Sequence, residues 1–170
     1  MNRHALDALE FERVLEIVAG YATSEPGAEG VRRRRPVPDR QAVARALDEV
    51  DEMVSWLIRD ESWAPPVIPD IGKSLHRLEV VGSVWSESEL TNASRLLAAA
   101  RAVRRSILPQ SSQFPLLGEL ASGLLKDEKL EGLLRSALDE ETETLKDSAS
   151  PELKRLRRTI RSARVGLVRQ

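Results

Sequence analysis

Residues 146–158, KDSASPELKRLRR, join a helix-start signal to a basic heptad and commit the end of the chain to one long helix. The Ser150 hydroxyl can accept a hydrogen bond from a first-turn N–H that has no partner inside the helix. Pro151 is preset for the first helical position, and Glu152 suits the positive end of the helix dipole. Leu153, Leu156, Ile160, Ala163 and Leu167 then recur at alternating steps of three and four. That spacing is the narrow seam of a coiled coil rather than the broader apolar face of a globular helix. Gln170 follows with no Gly or Pro stop signal, so the seam is expected to continue in a longer protein of which this chain is the N-terminal part.

The same segment divides the charge. From Pro151 onward seven basic residues oppose Glu152 alone, which leaves 19 basic and 26 acidic residues in the body before it. A net charge of −1 thus conceals an acidic body and a basic arm. A chain of 170 residues can bury enough surface for one ordinary core with an appendage. No apolar run approaches the roughly 20 residues that span a bilayer, and the opening MNRHALDALEFERV lacks the apolar stretch of a signal peptide. A cytoplasmic location with no membrane partner is expected. The absence of cysteine excludes disulfides, thiolate metal sites and cysteine nucleophiles.

Nearly every other segment has a helical period. Leu9, Val14, Leu15, Ile17, Val18 and Tyr21 predict a first amphipathic helix capped by Asp7, and Ser24 with Pro26 predicts a short helix ending in Arg32 to Arg35. Asp39 starts a long helix in which Val43, Leu47, Val50, Val54, Leu57 and Ile58 share a side. Three prolines make residues 63–69 an extended connector, leading into a helix capped by Asp70. A brief extended piece over 80–85 precedes Ser86, which with Glu89 forms a capping box for a helix to about Leu108. Two shorter helices follow over 115–125 and 129–138, then a two-stranded turn or loop up to Asp147. The expected fold class is all-α: an irregular helical core domain leading into the start of a long coiled-coil helix.

Nothing in these residues specifies an active site. Gly72-Lys73-Ser74 ends like a phosphate-binding loop, but Val67 stands where that loop needs a Gly and Pro69 removes a backbone donor. His4 and His76 are far apart and lack metal-helix spacing, so no metal site is expected. Asp48, Glu49, Asp51 and Glu52 are expected on a solvated helix face, and no serine sits in a Gly-x-Ser-x-Gly elbow. The basic runs are the remaining candidates. Arg32, Arg33, Arg34 and Arg35 could neutralise phosphates, or could be cations settled at a helix C-terminus near Glu25 and Glu29. Lys154, Arg155, Arg158 and Arg161 could do the same on the arm, or could face an acidic partner helix.

The segment Asp147 to Leu153 (DSASPEL), its extension to Arg158, the Leu9-Glu10-Phe11 opening, Ile68-Pro69-Asp70-Ile71 and Glu89-Leu90 together resemble the N-terminal region of MutS-II proteins, the second bacterial MutS branch. The resemblance implies a helical core over residues 1–147 and, over 148–170, the start of a lever helix that runs out to a clamp and returns to core and ATPase. It implies a full-length homodimer that uses ATP and Mg, carries a C-terminal Smr endonuclease domain, and acts on DNA or ribosomal RNA in recombination suppression or ribosome rescue. Those motifs would lie beyond Gln170, so the expected partner of these residues is the rest of their own chain, with no cofactor and no catalytic residue among them. The Phe-x-Glu wedge of mismatch-reading MutS proteins is missing, since Phe11 is followed by Glu12 and Arg13, and Phe114 by Pro115 and Leu116. The chain departs from the family pattern at Thr144, Lys146 and Trp85.

Overall fold

Local capping signals set most of the element starts. The computed structural model describes residues 3–60, 62–139 and 141–168, with side chains described from residue 4 as far as 164. Helix α3 (Glu25–Arg32) begins at Ser24, whose hydroxyl accepts from Gly27 N, with Pro26 in the first turn. Helix α4 (Arg40–Arg59) begins at Asp39, whose carboxylate accepts from Gln41 N at 2.8 Å. Helix α6 (Glu87–Ile107) starts with the expected capping box: Ser86 N donates to Glu89 Oε2 at 2.8 Å, and Glu89 N to Ser86 Oγ at 3.4 Å. Asp127 likewise caps α8 (Glu128–Ala137), accepting from Leu130 N at 2.9 Å.

Three expectations are corrected. The first amphipathic segment is two helices, α1 (Arg3–Ala8) and α2 (Phe11–Ala19), because Glu10 turns into the left-handed region at φ 51°. Asp7 therefore lies inside α1 rather than capping, and the Glu10 carboxylate holds Arg13 at 2.8 Å. Helix α5 (Gly72–Leu78) starts from Ile71, which makes no side-chain cap, one residue later than the Asp70 start expected. Residues 80–82 turn, with Gly82 at φ 86°, and no strand forms over 80–85. The only sheet among the described residues is the antiparallel pair β1 (Leu138–Asp139) and β2 (Thr144–Leu145), so the fold is all-α in character.

The chain forms two compact units. One comprises Met1–Asp70 and Arg95–Lys126, the other Ile71–Ser94 and Asp127–Gln170, so the division falls within α6. In the first, Trp56, Ile107, Phe114, Leu117 and Ala121 make the core, with Met53, Trp63 and Val103 packed against it. Trp56 meets Trp63 and Phe114 edge to face at 6.1 and 5.5 Å. Helix α4 therefore turns Met53 and Trp56 inward, whereas Val43, Leu47, Val50 and Val54 remain between 41% and 64% exposed. The apolar period along α4 was legible, but it marks an open groove and not the core.

Helix α7 (Pro115–Ser122) in the same unit is held at both ends by side chains distant in sequence. The Glu52 carboxylate accepts from Leu116 N at 3.2 Å and Leu117 N at 2.9 Å. At the other end Arg104 Nη1 lies 2.9, 2.7 and 3.1 Å from the carbonyls of Ala121, Ser122 and Leu124. An anion thus sits at the positive end of the dipole and a cation at the negative end, each satisfying backbone groups the helix cannot. Glu52 is a capping residue and not part of a solvated face.

Candidate nucleic-acid interface

The second unit presents the basic arm, α9 (Pro151–Val168). Ser150 Oγ accepts from Leu153 N at 3.4 Å with Pro151 at the first position, the start expected from sequence. Immediately before it, a single 3-10 turn over Asp147–Ala149 packs against the helix. Arg157 then fastens the second turn of α9. Its Nη1 donates to Leu145 O at 2.7 Å and to Asp147 Oδ1 at 2.8 Å, while Nη2 lies 3.3 Å from Glu87 Oε1. The other demand on Glu87 Oε1 is Leu145 N, which donates at 3.0 Å. One guanidinium therefore ties α9 to the β2 strand, the 3-10 turn and the first residue of α6. The Arg157 hydrogen bond holds the Asp147 carboxyl below its ordinary range, helped by the charges of Arg157 and Arg161.

The remaining cations of α9 sort by what they already hold. Arg155 closes on Glu152 through two bonds of 3.0 and 2.5 Å. Lys154 and Arg158 are exposed and have no ion pair among the described residues, and Arg161 reaches only 3.5 Å from Asp147 Oδ2. Lys154, Arg158, Arg161 and Ser162 line one open cleft of about 560 Å³ with Asp147 at its edge. Along the seam, Leu153 is half-buried, Leu156 and Ile160 are 47% and 53% exposed, and Ala163 is exposed; the Leu167 side chain lies outside the described residues.

In the first unit the arginine run is largely engaged. Arg32 binds Glu16 and Glu25, both at 3.1 Å, Arg33 pairs with Glu29, and Arg35 donates to the carbonyls of Arg32 and Arg34. Among the described residues Arg34 and Arg35 have no ion pair, and Arg34 has no side-chain hydrogen bond either. With Arg35 it rims an apolar groove of about 920 Å³ lined by Leu15, Val18, Val43, Leu47 and Val50.

Sequence reasoning missed Arg157, Glu87 and Ser162. Arg157 was one basic residue among seven, and nothing local distinguishes it, because Glu87 lies 70 positions away. Gly72-Lys73-Ser74 forms the first turn of α5, and the Ser74 hydroxyl donates to Glu89 at 2.8 Å. A carboxylate therefore occupies the place where a triphosphate and its magnesium would have to lie, and these residues do not fit that group. No group of His, Asp and Glu among the described residues could hold a metal ion, and no described helix is long and apolar enough to cross a membrane.

No protein-family profile matches the chain. Among curated proteins it is 36% identical over 172 residues to the Endonuclease MutS2 of Gemmatimonas aurantiaca, covering 99% of this chain and 21% of that one. It is 32% identical over 171 residues to the Endonuclease MutS2 of Ruminiclostridium cellulolyticum, covering 98% and 21%. Over 166 residues it is 32% identical to the Endonuclease MutS2 of Bacillus velezensis, covering 95% and 21%. The chain spans about a fifth of the length of these relatives, in their N-terminal part.

Proposed function

Since this chain belongs to the MutS2 family over the region it shares with those proteins, we propose that it is the non-catalytic core and lever of a MutS2-type protein. Its task is mechanical: to couple a distant ATPase to a clamp that holds DNA or ribosomal RNA. The lever starts at residue 148, the core precedes it, and the partner of both is the rest of the polypeptide in a cytoplasmic homodimer. ATP and magnesium belong to other parts of that polypeptide.

One observation carries this reading: the fastening of α9 at its base by Arg157 to Leu145, Asp147 and Glu87. A helix transmits force only if its root is fixed. At about 1.5 Å per residue, a continuous helix pinned within its second turn carries a rotation of its unit outward without loss at the joint. The groove beside Arg34 and Arg35 supports the same reading, because an apolar face of that size is usual where another part of a protein docks. Replacing Arg157 by Ala should free the joint. Hydrogen exchange over residues 145–160 is expected to accelerate at least tenfold while the amides around Trp56 and Phe114 keep their protection. Unchanged exchange over 145–160 would refute the fixed-root mechanism.

Dimerisation through α9 is a second reading, favoured by the half-exposed Leu156 and Ile160 on the seam. Light scattering across a concentration series separates the two: a mass that doubles in the wild type, and does so less in Leu156→Gln, supports pairing through the arm.

A further inference from the structure

We propose that Lys154, Arg158 and Arg161 form a built strip on α9 that grips the phosphodiester backbone of duplex nucleic acid directly, so that the lever root is itself a contact site. The inference rests on the nucleic-acid reading above and gives it residues, but it does not depend on the lever mechanism.

Selection among the cations carries the argument. Of the described basic residues in the arm, Arg155 is taken by Glu152 and Arg157 by Leu145, Asp147 and Glu87. The cations without a strong partner include the three that share one cleft. At about 100° per residue, positions 154, 158 and 161 fall within about 60° of one another around the helix. They span seven residues, or about 10.5 Å of axis, close to the axial rise of about three nucleotides in one strand of a duplex. A linear array of that length suits a repeating anion, whereas an isolated phosphate would need donors converging on one point.

The cleft lining also indicates what is read. Among the described residues its lining is Asp147, Lys154, Arg158, Arg161 and Ser162, with no aromatic on which a base could stack. Contact is therefore to backbone and independent of sequence. Asp147 does not spoil the site. Its Oδ1 is neutralised by Arg157 at 2.8 Å, and its Oδ2 holds Arg161 loosely enough, at 3.5 Å, to orient the guanidinium without consuming it. Ser162, whose hydroxyl donates to Arg158 O at 3.1 Å, keeps that end of the cleft free of bulk.

The test is fluorescence anisotropy of this chain with labelled duplex DNA, duplex RNA and poly-glutamate, at about 50 and 200 mM salt. Three phosphate contacts should weaken duplex binding roughly 40-fold across that fourfold change in salt. Lys154→Gln, Arg158→Gln and Arg161→Gln together should remove that share of the salt dependence, while Arg155→Gln, which breaks only the pair with Glu152, should leave it. Ser162→Glu, which sets a carboxylate in the cleft, is expected to abolish binding with the far-ultraviolet spectrum unchanged, so a folding defect cannot imitate the result. Binding to either duplex with these effects supports the strip. Duplex binding unaffected by the triple or Ser162→Glu change, no duplex binding, or binding to poly-glutamate alone overturns it. The last would make the strip a docking face for an acidic protein segment. Exchange in Arg157→Ala judges the lever separately, so the two readings fail by different measurements.

Discussion

The Glu52 carboxylate does what no residue of α7 can do for itself. Phe114 and Pro115 provide no side-chain acceptor at the start of that helix, and its first amides would face a partly buried site unpaired. Glu52 supplies the acceptor from α4, 64 residues earlier, and Arg104 closes the other end from α6. Glu52→Ala should cost about 1–2 kcal/mol, in line with the loss of a helix cap. Glu52→Gln should recover part of that, because an amide oxygen still accepts one of the two bonds. Urea melts followed by tryptophan fluorescence would measure both, and equal stability of the Ala and wild-type chains would remove the capping role.

Four helix starts that depend on neighbouring residues were legible in the sequence. Ser24, Asp39, Ser86 with Glu89, and Ser150 with Pro151 start the helices expected of them, since a cap acts over two or three residues. The break at Glu10 was not legible, because neither Gly nor Pro marks it and the apolar period runs across it. The inward face of α4 was misread for a related reason: periodicity reports where apolar residues lie but not which partner covers them. Of the candidate site, the basic residues were visible, whereas the pairing that commits Arg157 and releases Lys154 depends on Glu87 and Asp147 and appears only in three dimensions. Gly118 in α7 was equally silent. A Cβ built there would lie 2.6 Å from Ser111 Cβ and 3.2 Å from Ser111 Cα. Gly to Ala ordinarily stabilises a helix interior by about 1 kcal/mol, but here the contact should reverse the sign and cost about 1–3 kcal/mol. A thermal melt of Gly118→Ala that matched or exceeded the wild type would show that the turn at Ser111 yields.

At the scale of the whole molecule, the two units should differ in their sensitivity to acid. Glu89 is held down to about 2, chiefly by the Ser86 N–H, then by the Ser86 and Ser74 hydroxyls, with Arg77 adding its charge. Asp139, Asp147 and Glu152 are lowered too, by Thr142, Arg157 and Arg155 respectively. All four belong to the unit of Ile71–Ser94 and Asp127–Gln170. A carboxylate whose folded pKa is depressed stabilises the fold above its unfolded value of about 4, and this is lost as pH falls toward the folded value. That unit should therefore open between about pH 4 and 2, before the other. Trp85, which donates to Ser74 O at 2.7 Å, reports on it, and Trp56 and Trp63 report on the first. Subtracting the emission of Trp85→Phe from that of the wild type during acid titration isolates the Trp85 signal. Its loss should precede that of Trp56 and Trp63, and coincident loss would mean that the units unfold as one.

The interleaving of the two units along the chain also sets a timetable for their assembly on the ribosome. By Lys126 every segment of the first unit has been made, whereas the second then has only Ile71–Ser94. That stretch, with Val80, Val81 and Val84 exposed even in the finished fold, must wait for Arg157 before Glu87 acquires its guanidinium. At about 5–20 residues per second, the 31 residues from Lys126 to Arg157 take roughly 2 to 6 s to be added. For those seconds the exposed Val80, Val81 and Val84 and the Glu87 carboxylate await the rest of their unit while the first unit is already complete, and this interval is when such a nascent chain most needs a chaperone.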